Sequence, residues 1–214
     1  MSDRRTRLNA SVLYLVCDAQ PDAFLREALR GGVDIVQLRV KDDSDESILE
    51  TASRYRRLCA ESGALLIVND RPDLARAADA DGVHIGQDDD SVRTARALVG
   101  PERLIGLSTH SPEQVTTAGR AGVDYIGVGP VHATPTKPGR PAVGLELVHY
   151  AATHSVLPFF AIGGITTENI AAIRAAGASR AAVVRALSEA RDPEAVAREL
   201  HAGLTGERTN VGAA

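Results

Sequence analysis

Lysine is almost missing from this 214-residue chain: Lys41 and Lys137 are the only two among 24 basic residues, the other 22 being arginine. Tryptophan is absent, and Phe and Tyr number only three and four. With a formal charge of −4 and a pI near 5.9, the chain lacks both the basic footprint and the stacking aromatics that nucleic-acid binding needs. No apolar run approaches the roughly 18 residues of a membrane span, and no apolar segment follows Arg4, Arg5 and Arg7 as it would in a leader. A soluble, cytoplasmic protein without nucleic-acid or membrane partners is expected, in a form compatible with a homo-oligomer. Cys17 and Cys59 fit no Cys-x-x-Cys spacing, and Cys17 falls in a buried-strand run, so both are expected to be reduced core thiols.

What is present is alternation. Short runs of β-branched and aliphatic residues at 12–17, 34–39, 65–69, 82–85, 104–107, 125–128, 159–162 and 181–184 are separated by longer segments rich in Ala, Arg, Glu and Leu. About eight strands with eight helices between them predict a single-domain α/β protein, a (β/α)8 TIM barrel. A turn signal recurs at Gly31-Gly32-Val33-Asp34 and Ala121-Gly122-Val123-Asp124, with relatives at Ala80-Asp81-Gly82-Val83 and Gly177-Ala178-Ser179. Each glycine can close a helix in the left-handed conformation before the next strand begins. The competing arrangement, a doubly wound open sheet, would carry a glycine fingerprint after its first strand, and none dominates here. The expected boundaries are a flexible N-terminus over 1–10, the barrel over 11–202 and a flexible tail over 203–214.

In a barrel of this kind the C-terminal strand ends form the functional face. Gln37, Arg39 and Lys41 recur with a period of two and can point together toward the mouth; salt bridges to Asp42, Asp43 and Asp45 are the competing use. Asn69-Asp70 and Gly86-Gln87-Asp88-Asp89-Asp90 place carboxylates on the same face, where magnesium with substrate phosphate oxygens would suit Asp70 and Asp89. Helix capping by Asp70 and Asp90 explains the same residues equally well. Ser111 before Pro112 reads as an N-cap, leaving Ser108 and His110 for a ligand. Zinc held by His84, His110 and His132 is disfavoured, because no His-x-His pair is present and none of the three closes a Glu-x-x-His pattern.

The connection after the sixth strand, residues 129–141, contains four prolines together with Thr134, Thr136 and Lys137. It reads as a binding lid or as an exposed Pro-rich loop. Gly163-Gly164 after the seventh strand and Val184-Arg185 after the eighth occupy the usual phosphate position of such barrels.

Taken in order, Gln37-Leu38-Arg39-Val40-Lys41, Asn69-Asp70, Gly86-Gln87-Asp88-Asp89, Ser108, Thr134-Pro135-Thr136-Lys137 and Ile162-Gly163-Gly164-Ile165 closely resemble thiamine phosphate synthases over nearly the whole chain. That resemblance implies a transferase of pyrimidinylmethyl groups that joins a hydroxymethylpyrimidine diphosphate to a carboxylated thiazole phosphate and releases diphosphate and carbon dioxide. It assigns Gln37, Leu38, Arg39, Val40, Lys41, Asn69, Ser108 and Lys137 to the pyrimidine diphosphate, and Asp70 and Asp89 to Mg2+. Thr134, Pro135, Thr136, Gly164, Val184 and Arg185 would hold the thiazole phosphate. Catalysis would rest on Arg39, Lys41, Ser108 and Lys137, with no protein nucleophile. The family often has Ser where this chain has Arg185, so geometry and selectivity at the phosphate end are expected to differ. A related thiazole tautomerase, or a non-catalytic regulator that binds thiamine phosphate, would have little use for the diphosphate and metal residues retained here.

Overall fold

Eight short aliphatic runs become eight parallel strands: β1 (Leu13–Cys17), β2 (Ile35–Leu38), β3 (Leu65–Asn69), β4 (Gly82–Ile85), β5 (Leu104–Thr109), β6 (Tyr125–Val128), β7 (Phe159–Ile162) and β8 (Ala181–Val183). They close in sequence order, β8 pairing back onto β1 through Leu13↔Ala181 and Leu15↔Val183. The computed structural model describes residues 3–134 and 141–206. Among these, the strands alternate with helices α2 (Asp22–Arg30), α3 (Asp45–Ser62), α4 (Pro72–Ala77), α5 (Val92–Val99), α6 (Pro112–Ala118), α7 (Gly144–His154) and α8 (Ile170–Ala175). The short α9 (Arg185–Ser188) and long α10 (Pro193–Thr205) follow β8, and α1 (Asp3–Ala10) precedes β1. The expected (β/α)8 barrel is therefore the fold.

The two faces of each strand sort the side chains with period two. Tyr14, Val16, Ile35, Leu65, Ile67, Leu104, Tyr125, Phe160 and Ala182 form one buried cluster inside the ring. Leu13, Leu15, Val36, Leu38, Leu66, Val68, Val83, Ile105, Ile126 and Val128 belong to the larger cluster under the helices. With both faces buried, the strands read as nearly continuous apolar runs. Strand β5 runs two residues beyond its expected end, because Thr109 pairs with Val128 and its Oγ1 donates to the Gly127 carbonyl at 3.0 Å.

The recurring turn-plus-Asp signal proves to be a brace at the N-terminal end of the barrel. Asp34 Oδ2 accepts from the amides of Val12 (2.7 Å) and Leu13 (3.0 Å), Asp81 Oδ2 from Leu66 N–H (2.9 Å), and Asp124 Oδ2 from Ile105 N–H (2.8 Å). Each aspartate thus ties the start of its own strand to the strand before it. Gly32, Gly122 and Gly177 are left-handed as expected, but in the unit around Gly82 that conformation falls on Asp79 (φ 50°). Gly82 lies inside β4, where a Cβ would strike the Leu104 backbone.

Within the terminus expected to be flexible over 1–10, the described residues Asp3–Ala10 form a helix. Arg4 Nε reaches Asp81 at 3.1 Å, Arg5 Nε reaches Asp124 at 2.7 Å, and Arg7 donates to the carbonyls of Gly63 and Ala64. Leu8, 2% exposed, joins the interior cluster and closes the lower end of the ring. The expected tail also begins too early: α10 continues to Thr205 and ends on left-handed Gly206, while residues 207–214 lie outside the described residues. Cys17 and Cys59 are buried free thiols, and burial pushes each up to about 12, so both stay protonated.

Candidate active site

At the opposite end, the strand termini surround a cavity of about 120 Å³, of the order that accepts one small ring. The alternation along β2 and just beyond it decides which residues reach it. Gln37 and Arg39 line the cavity, while Leu38 packs in the outer cluster with Val40 against it. Lys41 follows the end of β2, is exposed, and is not on the wall. Asn69 from β3, Ser108 from β5, Thr134, Gly164, Val184 and Arg185 complete the expected residues that do line it. Pro135, Thr136 and Lys137 lie outside the described residues.

The salt bridges that could have occupied the β2 cations are not formed among the described residues. Asp45 pairs with Arg71 at 2.7 Å, whose hydrogen bond holds the Asp45 carboxyl below the usual carboxylate range, and Asp43 Oδ2 accepts from Ser47 Oγ at 3.2 Å. Ser44, not an aspartate, caps α3. Arg39 and Lys41 are left with no ion pair among the described residues.

The capping alternative fails for Asp90. Ser91 caps α5, so Asp90 does not, and α4 begins after Arg71 with no side-chain cap. Asp70 adopts a left-handed backbone (φ 59°) directly after β3, its amide donating to the His84 carbonyl at 2.8 Å. Asp89 Oδ2 accepts from Gly86 N–H at 2.7 Å, and its other oxygen has no partner among the described residues. Two hard carboxylates at adjacent strand ends match the sparse protein shell that magnesium takes when substrate oxygens complete it. No group of three His, Cys, Asp or Glu side chains among the described residues could hold a metal without such help.

Residues that sequence reasoning missed form the cavity floor. Gln37 Nε2 donates to Tyr14 Oη at 2.6 Å, Tyr14 Oη lies 2.9 Å from Tyr125 Oη, and Tyr125 Oη lies 3.2 Å from His84 Nδ1. His84 Nε2 then meets Ser108 Oγ at 3.0 Å. Burial drives the phenols of Tyr14 and Tyr125 well above their usual ionisation. Glycine makes the room: a Cβ at Gly106 would strike the Tyr125 ring and His84 Nδ1, and one at Gly127 would press on His84 Cε1 at 3.4 Å. The signal in the sequence is polar residues at inward strand positions, of which zinc-ligand spacing brings out only His84.

At the far wall, Gly163 (φ 105°) and Gly164 (φ 64°) turn the chain after β7. A Cβ on Gly164 would lie 2.7 Å from His132 Cβ, so only glycine fits between the two loops. Asn169 fixes the turn, donating from Nδ2 to the Gly164 carbonyl (2.8 Å) and accepting from Thr166 N–H (3.0 Å). Arg185 lies beside this turn on the cavity wall, its side chain 48% exposed and 4.0 Å from Glu189. His110 also lines the cavity, with Nδ1 2.5 Å from the Gly129 carbonyl.

A closed (β/α)8 ring with a cavity at its C-terminal face, and glycine turns after its seventh strand, defines a barrel whose candidate site lies where this fold places its active sites. The sequence model described as thiamine monophosphate synthase matches residues 13–187. The chain belongs to that family. It is 52% identical over 203 residues to the thiamine-phosphate synthase of Thermobifida fusca, covering 92% of this chain and 93% of that one. It is 48% identical over 196 residues to the thiamine-phosphate synthase of Synechocystis, covering 91% of this chain but spanning only 57% of that relative's length. A solved structure of thiamine phosphate pyrophosphorylase from Pyrococcus furiosus superposes with a TM-score of 0.85 at 32% identity, covering 95% and 98% of the two chains. Among the described residues, no helix is long and apolar enough to cross a membrane.

Proposed function

We propose that this chain is a thiamine phosphate synthase, joining 4-amino-2-methyl-5-hydroxymethylpyrimidine diphosphate to a (carboxy)thiazole phosphate. The observation that carries the reading is the convergence of Gln37, Arg39, Asn69, Ser108, Thr134, Gly164 and Arg185, from widely separated parts of the chain, on one cavity. The C–O bond to diphosphate breaks first and the leaving group departs with the electron pair. The aminopyrimidine carries the resulting cation until the thiazole nitrogen lone pair forms the new C–N bond, and a carboxylated thiazole then loses carbon dioxide.

Departure of an anion calls for electrostatic stabilisation rather than a nucleophile. Arg39 provides a guanidinium with no competing ion pair among the described residues, and Lys41 at the rim adds charge to the same anion. Asn69 donates amide hydrogens, while Tyr14, Tyr125 and Phe160 form a floor that excludes water from the cation. Lys137, outside the described residues, would close the clamp from the 129–141 connection. The Gly163-Gly164 turn and Arg185 would hold the thiazole phosphate. Magnesium, when bound, neutralises charge on the departing diphosphate; Asp70 and Asp89 would hold it. A cytoplasmic location is part of the same proposal.

The test is diphosphate release from the two purified substrates with and without Mg2+. Thiamine phosphate should form with Mg2+, turnover should fall at least ~100-fold on chelation, and no side chain should carry a substrate adduct. No diphosphate in either condition, from folded protein, would overturn the proposal.

A further inference from the structure

The floor of the cavity carries a hydrogen-bond chain whose direction can be worked out proton by proton. Tyr14 is 2% exposed and its hydroxyl has two partners, Gln37 Nε2 and Tyr125 Oη. An amide N–H can only donate, so Tyr14 accepts from Gln37 and must place its own proton on Tyr125. Tyr125, 0% exposed, must then place its proton on its remaining partner, His84 Nδ1. A ring nitrogen that accepts carries no proton, so the neutral imidazole carries it on Nε2 and donates to Ser108 Oγ. The Ser108 hydroxyl hydrogen has no acceptor among the described residues, and Ser108 is on the cavity wall. The Gln37 carbonyl oxygen likewise has no partner among them.

We propose that His84 is a positioning residue: Tyr125 holds it as the Nε2–H tautomer, so that Ser108 offers a donor and Gln37 an acceptor to the ring in the cavity. This rests on the functional reading above and deepens it. An acceptor and a donor on the wall match a ring that bears an exocyclic amino group beside an unprotonated ring nitrogen. A ring with an oxo group beside an N–H presents the opposite pattern and leaves both wall groups facing their like. The buried chain therefore works as a polarity lock. Its parts come from β1, β2, β4, β5 and β6, and reversing any one bond requires reversing the rest.

The tautomer can be read in the ligand-free protein from long-range 1H–15N spectra of the histidine side chains, with His84 identified by its loss in His84→Gln. His84 should appear as Nε2–H, and Tyr125→Phe, which keeps the packed ring, should turn it into a tautomer mixture. An Nδ1–H tautomer in the wild type, or an unchanged spectrum in Tyr125→Phe, would overturn the lock. In turnover, Tyr125→Phe should raise KM for the pyrimidine diphosphate ~10-fold, about one hydrogen bond's worth, and leave KM for the thiazole phosphate unchanged. His84→Leu should do the same, and His84→Gln, which keeps an N–H for Ser108, should recover part of the loss. Equal effects on both KM values would reduce His84 to a packing residue. Wild-type protein that releases no diphosphate overturns the functional reading alone, since the tautomer measurement uses no substrate.

Discussion

The two ends of this barrel spend their charge in opposite ways. At the N-terminal end, Asp34, Asp81 and Asp124 accept strand amides, and Arg4, Arg5 and Arg96 complete the shells of Asp81 and Asp124. At the C-terminal end, Arg39 and Lys41 have no ion pair among the described residues, one oxygen of Asp89 has no partner among them, and Ser108 Oγ meets His84 Nε2 alone. Polar groups that are satisfied internally stabilise a fold; polar groups left without an internal partner in or beside a cavity are available to a ligand. Function in this chain is thus concentrated where the fold leaves its polar groups incomplete.

The sharpest way to break that contrast is Arg39→Ala. Turnover should fall ~10²–10³-fold, the effect of one lost preorganised donor, with the melting temperature nearly unchanged. A large drop in melting temperature would mean that Arg39 serves the fold and the contrast is wrong.

Asp81→Ala tests the other end. Asp81 is 1% exposed, and its loss strands Arg4 and the Leu66 amide. Unfolding free energy should fall by about 3 kcal/mol, lowering the melting temperature by ~6–12 °C, while turnover per folded molecule stays at the wild-type level. Loss of turnover in folded Asp81→Ala would show that the two ends are coupled.

The smallest effect is expected for Arg5→Ala. It removes a partly buried partner of Asp124, which keeps Arg96 at 2.7 Å and the Ile105 amide. Calorimetry should show a loss of about 1 kcal/mol. A loss as large as that from Asp81→Ala would mean that α1 acts as a cooperative part of the barrel rather than a cover beneath it.

Legibility in the sequence differs between the same two ends. The strands were readable because their signal is local: β3, β4, β6 and β7 occupy the spans expected from their aliphatic runs. Gln37 and Arg39 were readable because a period of two puts them on one face. The same period turns Leu38 and Val40 toward the helices, away from the cavity. Asp70 and Asp90 were ambiguous because an Asp before a helix suits a cap or a metal, and only the helix start itself shows that Ser91 takes the cap at α5.

Alone, the sequence determined the barrel, its strand order and the shared face of Gln37 and Arg39, since each depends on side-chain periods within a few positions. Tertiary structure decided the partners. Arg4 meets Asp81 across 77 positions, Arg5 meets Asp124 across 119, and Tyr14 meets Tyr125 across 111. Such pairs form only when the ring closes and β8 returns to β1, a geometric condition that no local window of residues contains. For the same reason α1 could not be read as an ordered helix, because the groups that hold it are assembled by strands it does not adjoin in sequence.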